Sequence, residues 1–376
     1  MTSALDGLRV ADFSRVLAGP FATMMLADLG ATVVKIERPE AGDDTRSWGP
    51  PYGDDGEATY YQSLNRNKSS LLLELSDPED LARARKLALD ADVVVENFRP
   101  GVMERLGLGY DELRAERPGL IYCSITGFGR GEGADLPGYD LLIQALGGLM
   151  SVTGSPDGEP QKVGVAVVDV LTGLFATVGI LTALHHRQNT GEGQFVEINL
   201  LSSLLAALVN QSAAYTSGGV VPRRMGNQHP SVAPYEPLAC GEGELVLAVG
   251  NDRQFTKLCE LLGAPGLATD ARFATNTDRV ANRSAMRAEL ERLLAARPAD
   301  EWAPLLSAHR VPAGQVNDMA AAFQLAARLG LDPIVDVPRA DGTTVRLPRN
   351  PIGLSVTPPR YRSAPPRLGE PANEPE

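Results

Sequence analysis

Cysteine and histidine are scarce in this sequence, and their placement removes whole classes of chemistry. The three cysteines, Cys123, Cys240 and Cys259, are far apart and show no CxxC spacing. A disulfide framework needs dense, paired cysteines and a structural zinc site needs closely spaced thiolates, so neither is expected. The four histidines are His185, His186, His229 and His309. The adjacent pair cannot point the same way on a helix, which argues against a histidine-built metal site. Positive charge is also in deficit: 35 Lys and Arg stand against 47 Asp and Glu, for a net charge of −12. Phosphates are repelled over most of such a surface, so no nucleic acid or membrane partner is expected. An anionic ligand must then be drawn by a local cluster of cations. The first ten residues carry Asp6 and Arg9 where a secretory leader would be apolar. One apolar run, from Val163 to Leu184, reaches membrane-spanning length, but it contains Asp169. An ionised carboxylate is costly in lipid, so the run reads as a helix buried in a protein core, and the compartment expected is the cytoplasm.

What is present is an ordinary globular mixture, 43% apolar and 22% charged, in a chain of 376 residues. The N-terminal third alternates two kinds of segment. LRVADFS, ATVVKIE, ADVVVENF and LIYCSITGF read as strands; PFATMMLADLG, DPEDLARARKLALD and YDELRAERP read as helices. This β-α-β-α repetition implies a parallel sheet covered by helices, with ligands at the carboxyl ends of the strands. Two apolar helical stretches follow Asp169, with the short strand FVEI between them. The Gly- and Pro-rich segment 216–231 reads as a linker, and 232–312 as a smaller α+β domain. From Thr357 onward the prolines exclude helix and central strand, leaving an extended or disordered tail.

The first strand–turn–helix–strand unit has the outline of a dinucleotide site, but its turn, SRVLAGPFAT, lacks GxGxxG and follows its glycine with Pro20. A pyrophosphate could not approach that backbone closely, which weakens a nicotinamide-dependent oxidoreductase as the reading. Arg38 sits at the end of the second strand, where it could meet a phosphate or form a surface ion pair with Glu37 or Glu40. Asp169 opens an apolar helical run and reads as an N-cap. The same position suits a nucleophile, because a helix N-terminus favours an anionic carboxylate and apolar surroundings exclude competing water.

Eight segments in order carry a more specific signal: RVLAGPFATMMLADLGATVVKIERP, LNRNKSSLLLEL, VVVENFRPGVMERLGL, ITGFG, PGYDLLIQALGGLMSVTG, VVDVLTG, GNQHPSVAPYEPL and PPRLGE. Over nearly the full chain the sequence resembles the class III coenzyme A-transferase family, which includes formyl-CoA, carnitine and succinyl-CoA-dependent transferases and the related α-methylacyl-CoA racemases. The resemblance implies an α/β fold: a Rossmann-like large domain, a smaller inserted α+β domain, and an interlocked homodimer. The expected division is 1–215 for the large CoA-binding domain, 216–231 for the linker, 232–312 for the small domain and 313–376 for a returning segment. No prosthetic group is implied; the coenzyme A thioester and a carboxylic acid are substrates.

By the same resemblance Asp169 is the catalytic nucleophile, passing through an aspartyl anhydride and an aspartyl-CoA thioester. Val16, Leu17 and Ala18 would line the thioester end, and Arg38 and Arg105 would meet phosphates. Leu73, Glu74, Leu75 and Ser76 would border the adenine and ribose, with Asn97, Phe98 and Arg99 forming the central wall. Several of these, Leu17, Leu73, Leu75 and Phe98 above all, are equally plausible as core, and Arg105 as a solvated charge. The racemase branch has histidine before aspartate where this chain has Tyr139 and Asp140. A phenol with an ordinary pKa near 10 is a poor proton shuttle at an α-carbon, so transfer is favoured over the racemase alternative. Asp140 would orient substrate or loop, or merely open a turn. Leu17 replaces the glutamine of the formyl-CoA branch, and GNQHPSVAPYEP resembles the branch that uses succinyl-CoA with dicarboxylates. Arg223, Arg224 and His229 are candidates for a distal carboxylate. Backbone donors for developing oxyanions are expected from the Ala18-Gly19 turn and the GNQHP loop.

Overall fold

The computed structural model describes residues 2–370. Six short strands form one parallel sheet: β1 (Arg9–Asp12), β2 (Thr32–Glu37), β3 (Lys68–Leu72), β4 (Val93–Glu96), β5 (Ile121–Thr126) and β6 (Phe195–Asn199). Their spatial order is β3-β2-β1-β4-β5-β6. Chain direction around the sheet reverses between β1 and β4, which pair directly with Val10 opposite Val93. The crevice beyond the carboxyl ends of these two strands is the switch point at which such sheets take ligands. The central strands are buried along their whole length, as the continuous runs VVVE and IYCSIT require of a sheet covered on both faces.

Residue alternation sorts the strand side chains into two cores. Val10, Val33, Val93 and Val95 meet α1 (Ala18–Asp28) on one face; Ala11, Ile36 and Val94 meet α2 (Pro78–Asp90) on the other. Asp77 caps α2 by accepting the Glu79 and Asp80 N–H groups, and Pro78 occupies the first helical position. Two further helices matter for the site: α3 (Asp140–Leu146) and α4 (Val167–Thr190). The 24-residue α4 runs against α1. Gly173 makes this approach possible, since a Cβ there would lie 2.6 Å from the Ala18 carbonyl oxygen. The sequence predicts α4 to be core throughout. Instead it buries one stripe, including Val168, Ala176, Ile180 and Ala183, and exposes Leu174, Phe175 and Val178.

The chain divides into two compact units. The larger takes residues up to Leu149, then Lys162–Val220, then Asp332 onward. It includes the antiparallel pair β10 (Ile334–Pro338) and β11 (Thr344–Pro348). The described tail runs extended along the larger unit: Asn67 donates to the Ser363 carbonyl at 2.9 Å and Ser70 to that of Glu370 at 2.9 Å. The smaller unit comprises Met150–Gln161 and Val221–Leu331. Its sheet, β7 (Tyr235–Ala239), β8 (Glu244–Ala248) and β9 (Ala313–Gly314), is antiparallel. The amphipathic segments expected there are helices, Asp252–Leu261, Arg283–Leu294 and Ala299–Ala308. This unit extends past residue 312 to Leu331 and recruits residues 150–161, whose Gly154 carbonyl accepts the Gly226 N–H at 3.0 Å.

Candidate active site

Two loops meet at the switch point. After β1 the chain runs through Ser14, Arg15, Val16 and Leu17 into α1; after β4 it runs through Asn97, Phe98 and Arg99. Asn97 locks them together, accepting the Arg15 N–H at 2.9 Å and donating to the Arg15 carbonyl at 2.8 Å. Val16 stands in the left-handed region with φ of 68°. That conformation is uncommon for any non-glycine residue and a true outlier for a β-branched one. Leu17 is the N-cap position of α1 and contributes no side-chain cap, so the first N–H groups of α1 are left without intrahelical partners.

Asp169 is the third residue of α4, not its cap; the N-cap position is Ala166, which has no capping side chain. The missing acceptor comes from α3. Asp140 Oδ1 accepts the Val168 N–H at 2.8 Å and the Asp169 N–H at 3.3 Å, while Oδ2 accepts from Gln144 Nε2 at 2.6 Å. The Asp169 side chain is buried to 9% exposure, and among the described residues no hydrogen-bond donor reaches its carboxylate. Burial first and the Asp140 charge second push Asp169 up to about 7. The helix end therefore does not hold this carboxylate at an ordinary low value, because desolvation outweighs a terminus effect of roughly 0.3–2 kcal/mol.

Asp169 lies in the wall shared by two cavities. One, of about 250 Å³, is lined by Arg15, Asn97, Phe98, Arg99 and the Thr126–Gly129 turn. The other, of about 650 Å³, is largely apolar, with Phe21, Met24, Met25, Leu64 and Val170, and carries Trp48, Tyr60, Lys162 and Arg349. Val16, Leu17, Tyr139 and Asp169 border both. A third, smaller recess of about 130 Å³ adjoins Phe98 and Arg15 and is closed by Arg38, Leu73, Glu74 and Leu75. A buried carboxylate thus stands between a cavity lined by charged and polar groups and a larger, mainly apolar one.

Comparison with known proteins agrees with this geometry. The model of CoA-transferase family III matches residues 5–372. The chain belongs to that family. It is 46% identical over 375 residues to the succinate–glutarate CoA-transferase of Agrobacterium fabrum, covering 97% of this chain and 93% of that one. It is 41% identical over 368 residues to the acetyl-CoA:oxalate CoA-transferase of Acetobacter aceti, covering 97% and 93%. A solved CAIB/BAIF family protein from Brucella suis superposes with a TM-score of 0.87 at 44% identity, covering 98% of this chain and 97% of that one.

In this family III CoA-transferase the residues singled out from sequence fall into three groups. Val16, Leu17, Ala18, Asn97, Phe98, Arg99, Tyr139 and Asp169 share the first cavity, and Asp140 borders the second. Arg38, Leu73, Glu74 and Leu75 surround the recess; Leu73 is fully buried, and Arg38 pairs with Asp44 at 2.8 Å in place of Glu37 or Glu40. Ser76 and Arg105 border none of the three cavities. The Ser76 hydroxyl donates to Glu74 at 2.7 Å, and Arg105 is exposed. Arg224 spends its guanidinium on the Ser155 and Gly158 carbonyls within the smaller unit, which leaves it a clamp for residues 150–161.

Three further residues line the site without being among the candidates named from sequence. Arg15 lines both the first cavity and the recess, and its guanidinium lies 4.9 Å from the Phe98 ring centre. Burial and the neighbouring Arg38 charge lower its pKa, so two cations crowd the junction of cleft and recess. Trp48 and Tyr60 stand edge to face at 5.3 Å in the second cavity. Burial, then the charges of Asp169 and Asp140, push the Tyr60 phenol up to about 12, so it remains a hydrogen-bond donor.

Proposed function

We propose that this CoA-transferase moves coenzyme A from succinyl-CoA to a dicarboxylic acid, with Asp169 as nucleophile. The observation that carries the reading is the position of Asp169 in the wall between the polar cleft and the apolar chamber. Coenzyme A lies along the cleft, its thioester beside Val16, Leu17 and Ala18, its central portion against Asn97, Phe98 and Arg99, and its adenine end toward Arg38 and the Leu73–Leu75 recess. The acids occupy the chamber. Its Lys162 forms no ion pair among the described residues and offers positive charge to a distal carboxylate amid apolar walls, whereas Arg349 is already paired with Asp332. The name of the Agrobacterium relative supports such substrates.

The Asp169 carboxylate attacks the thioester carbon, forming a mixed succinyl–aspartyl anhydride and expelling CoA thiolate. The thiolate attacks the aspartyl carbonyl, breaking the anhydride C–O bond, releasing succinate and leaving an aspartyl-CoA thioester. The acceptor carboxylate attacks that thioester and expels the thiolate again. The thiolate then takes the acceptor acyl group and frees Asp169. Each step creates an oxyanion, for which the first N–H groups of α1 at Ala18 and Gly19 are donors. The apolar chamber keeps water from the labile anhydride.

Self-association as an interlocked homodimer belongs to the same proposal. The exposed apolar stripe of α4, with Leu174, Phe175 and Val178, supports it. The cytoplasm is the proposed compartment, supported by three cysteines that all remain free thiols. The test of the catalytic reading is intact mass after mixing with succinyl-CoA, with hydroxylamine trapping and peptide mapping. A hydroxamate at Asp169 is expected. Exchange activity that persists in Asp169→Ala overturns the reading.

A further inference from the structure

The loop that brings Val16 to the site rests on two charges that reach neither cavity. Lys35, on β2, and Asp43, in the segment after it, have side chains 1% and 0% exposed, and Nζ lies 2.8 Å from Oδ2. Each also grips the loop. Lys35 donates to the Ser14 carbonyl at 2.8 Å. Both Asp43 oxygens lie 3.3 Å from the Val16 N–H, and Oδ1 further accepts from the Thr45 N–H at 2.9 Å and hydroxyl at 2.7 Å. Beneath them Asp12, itself paired to buried Lys68 at 3.1 Å, accepts from the Ser14 N–H at 3.0 Å. The backbone from Ser14 to Val16 is thus held at every residue, with Asn97 fixing Arg15.

Stability is a weak reason for such a pair, because two buried charges lose hydration that their attraction only partly returns. Apolar replacements of similar volume are often neutral. What the pair does hold is an uncommon conformation. A β-branched residue with φ of 68° persists only where its surroundings over-determine it. Val16 borders both cavities and leads directly into Leu17 and Ala18 beside Asp169.

We propose that Lys35 and Asp43 are positioning residues for CoA transfer, their ion pair holding Val16 in the left-handed conformation that aligns the thioester with Asp169. The proposal rests on Asp169 as the nucleophile. A misplacement of about 1 Å at a reacting centre can cost on the order of 100-fold in rate, so the effect belongs in the chemical step and not in folding.

The test is rapid mixing with succinyl-CoA, following the covalent adduct at Asp169 by intact mass, in wild type and in the charge-neutral Lys35→Met/Asp43→Asn protein. The double variant is expected to melt close to wild type, to reach the same adduct amplitude and to form the adduct at least about ten-fold more slowly. A purely structural pair gives the opposite pattern, amplitude and melting temperature falling together with an unchanged rate constant, and overturns the proposal. Should the double variant not fold, Lys35→Gln/Asp43→Asn, which removes both charges but keeps a donor for the Ser14 carbonyl and an acceptor for Thr45, gives the same readout with amplitude scaled to the folded fraction. A wild type that forms no adduct at Asp169 removes the nucleophile reading and this proposal together. A wild-type adduct with unchanged rates in the variants removes only the positioning role.

Discussion

Asp140 both builds and burdens Asp169: its Oδ1 accepts the Asp169 N–H at 3.3 Å while its charge helps raise the Asp169 carboxyl to about 7. The two roles separate by substitution. Asp140→Asn keeps an oxygen acceptor for the first turn of α4 but removes the charge. Its expected result is a pH–rate profile whose acidic limb moves below 7 yet stays above the ordinary carboxylate value near 4, since burial, the larger cause, remains. Asp140→Ala should move the limb similarly and also lose the cap, at about 0.5–2 kcal/mol of stability. A limb that does not move in Asp140→Asn removes the electrostatic link between the two carboxylates.

Asp169 is costly to keep, and the cost has a pH signature. In the unfolded chain it titrates near 4, in the folded protein near 7. Between those values the folded form holds a proton that the unfolded form has released, so this group lowers stability as pH rises from about 4 to about 7, and the full penalty stands above 7. Asp169→Asn should therefore unfold at higher denaturant at pH 8 than wild type, by on the order of 2–4 kcal/mol, with the gain vanishing near pH 4. The same variant should lose exchange activity by at least about 10³-fold, as removal of a nucleophile does. A variant that is inactive and no more stable at pH 8 contradicts the desolvation account.

Arg15 gives a test of the polar cleft that does not touch the nucleophile. It forms no ion pair among the described residues and is crowded by Arg38, so a bound phosphate would relieve repulsion between two cations. Arg15→Ala is expected to raise the KM for succinyl-CoA by about ten-fold or more, with a smaller change in kcat, and to flatten the rise of KM with salt expected of the wild type. A KM that does not change would place the coenzyme elsewhere.

The β-α-β pattern was legible because its signals are local: short continuous apolar runs such as VVVE and IYCSIT alternating with helix-like segments such as DPEDLARARKLALD. Asp169, the proposed nucleophile, stands out through the ordered segments around VVDVLTG. What escaped depended on contacts between distant residues. Nothing near Asp140 announces that it caps a helix 28 residues downstream, so from sequence Asp169 reads as its own cap. The desolvation that raises Asp169 comes from how α1, α3 and α4 close around it, which a linear apolar run cannot weigh against a helix terminus. The exposed stripe of α4 was hidden for the same reason, since hydropathy records the residue and not the face. Residues 150–161 join the smaller unit through Gly154 and Gly226, a pairing across 72 positions of chain.

Gly173 decides how close α4 can bring Asp169 to the start of α1. An alanine in a helix interior ordinarily gains up to about 1 kcal/mol over glycine. Here its Cβ would meet the Ala18 carbonyl oxygen at 2.6 Å and the Phe21 ring at 3.1 Å. The nearer atom is backbone, so relief requires the two helices to part, an overpacking cost of typically 1–3 kcal/mol. Overpacking therefore exceeds propensity, and Gly173→Ala should lower the denaturant midpoint. Because Gly173 lies one turn from Asp169 and the displaced atom belongs to Ala18 at the start of α1, kcat should fall further than the loss of folded protein explains. A Gly173→Ala protein that gains stability would show that α1 and α4 do not approach this closely, and with them the thioester loop and the nucleophile.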